Sequence, residues 1–96
     1  MQQLLVLNIP PELEDELVDY LLAIPSAPGF TSYPVAGHGQ HARLSLAEQV
    51  TGRRKRIQFE LILATDDADE VVAGLRQQVG TDIYFWQQAV SNSGHL

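Results

Sequence analysis

Between Arg53 and Ala64 the chain alternates with a period of two. Ile57, Phe59, Leu61 and Leu63 fall on one side, and Arg54, Arg56, Gln58, Glu60 and Ile62 on the other. Successive side chains of an extended strand point to opposite faces, whereas helical burial recurs every three or four residues. The segment therefore reads as a β-strand with one face against a core. Its main-chain donors and acceptors need partners, so the rest of the chain has to provide neighbouring strands and a cover for the apolar face.

Residues 3 to 9 are short, apolar and partly β-branched and stop at Pro10-Pro11, which predicts a first strand buried on both faces. Proline is compatible with the first turn of a helix, and Glu12, Glu14, Asp15 and Glu16 place negative charge where the helix dipole favours it. A helix beginning near Pro11 then presents Leu13, Leu17, Tyr20, Leu21 and Ile24 as one packing stripe and ends at Pro25, Pro28 and Gly29. Residues 30 to 36 suit a second strand, which Pro34 directs to a sheet edge because it cannot donate to a ladder. After residues 53 to 64, Asp66 or Asp67 is placed to cap a second helix with the stripe Ala68, Val72, Leu75 and Val79, and Gly80 to end it. A last strand is expected over Thr81 to Val90, with Ile83 and Phe85 on one face and Tyr84 and Trp86 on the other. The tail from Ser91 to Leu96 is polar.

The order is βαββαβ. It predicts one α+β domain of ferredoxin-like architecture over residues 1–96, a four-stranded antiparallel sheet with two helices on one face. Two helices cover only one side of such a sheet, yet the first and last strands are apolar on both. A large bare apolar surface is uncommon on a soluble monomer, so self-association is expected.

The stretch from 37 to 52 has no sustained strand pattern and is long for a connection in a compact domain, where such loops commonly carry function. Within it Leu44 to Val50 has the spacing of a short helical turn, with Leu46 and Val50 four apart. Three histidines, His38 and His41 in this loop and His95 in the tail, are candidate ligands for a divalent metal ion, since imidazole suits zinc, copper and nickel. Most of the six Lys and Arg residues sit in Arg53-Arg54-Lys55-Arg56. Strand alternation splits the run, with Arg54 and Arg56 on one face and Arg53 and Lys55 on the other. At the mouth of the loop either pair is placed to clamp phosphate or carboxylate, the alternative being that the run balances the acidic first helix, and Arg53, Arg54 and Arg56 are taken as the candidates. With Gly37 and Gly39 at the loop's opening they form the candidate ligand-binding set. Trp86 and Tyr84 read as core or subunit-interface anchors.

Several classes fall away on composition. There is no cysteine, which removes disulfides and thiol nucleophiles and fits a cytoplasmic protein. The net charge of −6 repels polyphosphate, and no aromatic residue interleaves with the basic run, so nucleic acid is not expected as a partner. No apolar run is long enough to span a membrane. Ser45 near His41 and Glu48 has neither a nucleophile elbow nor an oxyanion nest, and no enzyme is expected.

The element order, the long loop between strands two and three, and the segments Gly29–Gly39, Leu44–Val50 and Gly52–Glu60 resemble the PII-like families. These are trimeric ferredoxin-like proteins that include nitrogen-regulatory PII signal transducers and CutA divalent-ion tolerance proteins. Those segments look most like an uncharacterised PII-like family found near heavy-metal efflux genes. The resemblance implies a homotrimer, a mobile T-loop at 37–52, and a regulatory role in which a small ligand or metal ion is sensed and the state passed to a protein partner, such as a membrane efflux or transport system. An alternative is a direct metal-binding protein of heavy-metal tolerance using the loop histidines. ATP-binding PII proteins have a glycine-rich, basic turn before the last strand. Here that turn, Gln77 to Ile83, has one glycine, no lysine and an aspartate, so ATP is not expected to bind.

Overall fold

In a computed structural model of the 96-residue chain, the structure describes residues 1–27, 29–39 and 53–96. Strand β1, Gln2–Ile9, leads through a 3-10 turn at Pro11–Leu13 into helix α1, Glu14–Leu22. Strands β2, Thr31–His38, and β3, Arg53–Ala64, follow, then helix α2, Thr65–Gln78, and strand β4, Tyr84–Val90. The strands form one sheet in the order β2-β3-β1-β4 with every neighbour antiparallel, the ferredoxin-like βαββαβ arrangement.

Register fixes the two faces. Leu5 lies opposite Leu61 and Leu7 opposite Phe59, and with Ile9 and Leu63 they meet Leu17 and Leu21 of α1 and Ala68, Val71 and Leu75 of α2 in one buried core. The stripe on α2 is therefore centred on Val71, with Val72 only partly buried, one position from the expected place. Helix α2 also starts earlier than expected: Ala64 holds the extended N-cap position without a side-chain cap, and Asp66 and Asp67 lie in the first turn, where their charge complements the helix dipole. Gly80 ends the helix as expected, its N–H donating to the Leu75 carbonyl at 3.0 Å. A Cβ there would lie 3.1 Å from the Leu13 side chain, so a larger residue would require Leu13 to shift.

The other face carries Leu4, Val6 and Asn8 of β1, Arg54 to Ile62 at alternate positions of β3, Tyr33 and Val35 of β2, and Tyr84 and Trp86 of β4. Among the described residues no element covers it. Val6, at the centre, is 2% exposed, whereas Trp86 is 41% exposed. The last strand begins at Tyr84 and not at Thr81: residues 81–83 leave the ladder, and Asp82 has φ 65, a left-handed conformation that non-glycine residues adopt only when something holds them there. The Leu44–Val50 turn expected within the loop lies outside the described residues.

Candidate functional site

The open face has a buried positive charge toward the end of the sheet where β1 stops, one residue beyond the Ile9–Ile57 pair. Arg56 is 3% exposed, and an uncompensated guanidinium at that depth would be strongly unfavourable. Four acceptors answer it. Nε donates to Asn8 Oδ1 at 2.6 Å, and Nη2 to the Asn8 carbonyl at 2.6 Å and the Asp82 carbonyl at 2.9 Å. Nη1 meets Asp82 Oδ2 at 3.2 Å. The Asp82 carboxylate also pairs with Arg54, through Nη1 to Oδ1 at 3.3 Å and through Nη2 to Oδ2. The left-handed turn at Asp82 thus delivers one carboxylate to two arginines of β3 and a main-chain carbonyl to the deeper of them.

The network continues across the sheet. Asn8 Nδ2 donates to Gln58 Oε1 at 3.2 Å, Gln58 Nε2 to the Tyr33 hydroxyl at 3.0 Å, and that hydroxyl to Glu60 Oε2 at 2.5 Å. Donation to Glu60 is the main reason the Tyr33 hydroxyl is shifted above the ordinary tyrosine range, since it favours the protonated phenol. No buried side-chain nitrogen or oxygen among the described residues lacks a partner.

Beside this network lies a cleft of about 190 Å³. Asn8, Arg54 and Arg56 supply its polar wall and Tyr84 and Trp86 its aromatic wall, while Gly37 and His38 close the end where β2 stops. Gly37 sits opposite Arg54, and a Cβ on it would lie 3.4 Å from Arg56 Cγ, so glycine lets β2 run close over the arginine's stem. A cleft with a guanidinium fork on one side and flat rings on the other suits a small planar anion.

Of the expected ligand-binding residues, Arg54, Arg56 and Gly37 come together here. Arg53 stands on the opposite side of β3 by alternation, opposite His38, and Gly39 follows the end of β2 with φ 92, a conformation that favours glycine. Of the histidines, His38 reaches the cleft and His95 is exposed in the tail, while His41 lies outside the described residues. Among the described residues no group of three or more His, Asp or Glu side chains is placed to hold a metal ion. Sequence reasoning did not single out Asn8 or Asp82. The available signals were an asparagine inside an otherwise apolar strand and an aspartate just past a helix-ending glycine.

The fold and the site define a small ferredoxin-like α+β domain with a polar cleft on its open sheet face. The chain belongs to the family described as "Protein of unknown function (DUF3240)", whose model matches residues 1–96. It is similar in fold to the crystal structure of a DUF3240 family protein from Shewanella baltica OS155, with a TM-score of 0.80 at 21% identity over 99% of this chain and 96% of that one. Comparison with curated proteins finds no match. Among the described residues no helix is long and apolar enough to cross a membrane.

Proposed function

We propose that this protein is a PII-like regulatory module that binds a small ligand in the cleft of the open sheet face and signals the bound state to a protein partner through the segment 37–52. The observation that carries this reading is the position of the cleft at both stems of that segment. Gly37 and His38 end the strand that enters it, Arg54 and Arg56 belong to the strand that leaves it, and all four line the cleft. A ligand seated there touches both stems, so its binding energy is coupled to any conformation of the segment that changes their spacing.

The open face supports the second part of the proposal, a homotrimer. Tyr33, Tyr84 and Trp86 are exposed on it beside Leu4 and Ile62, and neighbouring copies would bury them. The reading assigns the protein no catalytic step.

Thermal shift with Zn²⁺, Cu²⁺, Ni²⁺ and a panel of nucleotides and small organic anions tests ligand binding, because a ligand that binds only the native state raises the melting temperature. Hydrogen exchange across Gln40 to Thr51, with and without whichever compound raises it, tests signalling. Slower exchange there on binding is expected. Exchange in that segment unchanged by a bound ligand would remove it from the mechanism. Stabilisation by metal ions alone, lost in a His38→Ala or His41→Ala variant, would favour direct metal binding instead.

A further inference from the structure

We propose that Asp82 is a built-in occupant of a carboxylate site, and that the cleft's ligand is a small planar carboxylate that takes Arg54 over from it while lying against Trp86 and Tyr84. This rests on the reading of the cleft as a ligand site given above and names the class of ligand.

The two arginines are held differently. Arg56 is fixed by both acceptors of Asn8 and by the Asp82 carbonyl as well as by the Asp82 carboxylate, so it serves as a buried post that sets the position of the turn and would keep a hold on Asp82 when Arg54 is given up. Arg54 is more exposed, at 11% against 3% for the side chains, and its contacts among the described residues run to the Asp82 carboxylate through both terminal nitrogens. That fork-on-fork pairing is the geometry in which arginine recognises any carboxylate. Asp82 does not approach from within the cleft. It stands beside α2, lining a separate depression with Arg76, Gly80 and Phe85. The arginines therefore lie between an internal carboxylate on one side and an open cleft with an aromatic wall on the other.

A carboxylate entering the cleft meets Arg54 with its fork already occupied. It either displaces Asp82 or shares the guanidinium with a second negative charge a few ångströms away, and both routes make Asp82 a competitor. The overall charge of −6 adds a general repulsion, but salt screens it beyond about 8 Å at physiological ionic strength. The local groups decide the outcome. A flat, unsaturated body gains further by lying on the indole and phenol rings, which a saturated ring of the same size cannot do as well.

Trp86 is the chain's one tryptophan, so its fluorescence reports occupancy without a label. Titrations with benzoate and nicotinate, and with acetate, cyclohexanecarboxylate and inorganic phosphate as comparisons, are made on the wild type, Asp82→Asn and Arg54→Gln. Asparagine keeps the left-handed conformation accessible while removing the competing charge. The aromatic carboxylates are expected to change Trp86 emission most. Asp82→Asn should tighten benzoate by roughly tenfold, and Arg54→Gln should weaken it by at least as much, the range of one charge-assisted pair. Unchanged or weaker benzoate binding in an Asp82→Asn variant of native circular dichroism would overturn the proposal, as would equal binding by Arg54→Gln. If benzoate and nicotinate leave Trp86 unaffected at 10-millimolar order (~10 mM) while a nucleotide or metal ion shifts it, the carboxylate assignment falls and the ligand site stands. If no compound in either panel shifts it, both fall.

Discussion

The hydroxyl of Tyr20 donates a hydrogen bond of 2.9 Å to the main-chain carbonyl oxygen of Val71, tying α1 to α2 directly over Gly74. A Cβ on Gly74 would collide with that hydroxyl and lie 3.2 Å from Tyr20 Cζ. Glycine in a helix interior normally costs about 1 kcal/mol relative to alanine, so here the helix gives up propensity to let the tyrosine in. Tyr20→Phe should lose about 1 kcal/mol for the hydrogen bond. Gly74→Ala should be destabilising by about 1–3 kcal/mol despite its better propensity. Urea denaturation of both single variants and the double variant checks the coupling: Gly74→Ala should cost less in the Tyr20→Phe background. Equal cost in both backgrounds would mean that the hydroxyl is not what excludes the methyl group.

Burial, and secondarily the nearby charge of Glu70, raises the Tyr20 hydroxyl above the ordinary tyrosine range. A folded-state value above the unfolded one means that the native state retains the proton more strongly. Its contribution to stability is then complete below pH 10 and falls as pH rises through the folded value. Wild-type stability should drop more steeply above pH 10 than that of Tyr20→Phe, as read by chemical denaturation at fixed pH steps. Parallel curves would show that Tyr20 does not contribute.

Removing the side chain of Arg56 leaves Asn8 and Asp82 without their shared donor on a buried part of the sheet. Arg56→Ala is expected to lose about 3–5 kcal/mol, and Arg56→Lys much of that, because one ammonium cannot satisfy acceptors spread along a guanidinium edge. Thermal unfolding is the readout, and a loss below about 1 kcal/mol in Arg56→Ala would mean that the network does not stabilise the fold.

At Asp82 charge and backbone conformation are separable. Asp82→Asn keeps the left-handed backbone accessible and loses the ion pairs, whereas Asp82→Ala loses both, so stability should fall from wild type to Asp82→Asn to Asp82→Ala, with about 1 kcal/mol or more between the two variants. An alanine variant as stable as the asparagine one would show that the positive φ is not being selected for.

The proposed trimer has its own test. Light scattering at micromolar concentration should give about three times the 10.6 kDa chain mass. Trp86→Glu, which places a charge on the open face, should give a folded species of lower mass. A wild-type monomer would leave the open face without the cover proposed for it.

The architecture was readable from the sequence because burial repeats. The alternation at Ile57, Phe59, Leu61 and Leu63 and the stripe of Leu17, Tyr20 and Leu21 each record a local geometry, and both are found in the structure. The split of Arg54 and Arg56 from Arg53 and Lys55 followed from the same alternation. What periodicity does not record is which residue a side chain meets after the chain turns back. Asn8 looks like an interruption in an apolar strand until Arg56 is placed beside it, and Asp82 looks like part of a strand until its two arginines hold it in a turn. The one-residue displacement of the α2 stripe to Val71 has a similar origin, since Val71 and Val72 fit a helical spacing equally well and only docking on the sheet separates them.

The place of β1 in the sheet also governs how the fold can be reached. Its two partners are β3 and β4, and Gln2 pairs with Val90 while Leu7 pairs with both Phe59 and Phe85. On the ribosome the apolar strand that emerges early must wait for almost the whole remaining domain before its second ladder can close. Such long-range pairing slows folding and exposes an aggregation-prone segment in the interval. Translation pausing before β4 should therefore lengthen the interval in which nascent chains of this protein are captured by chaperones.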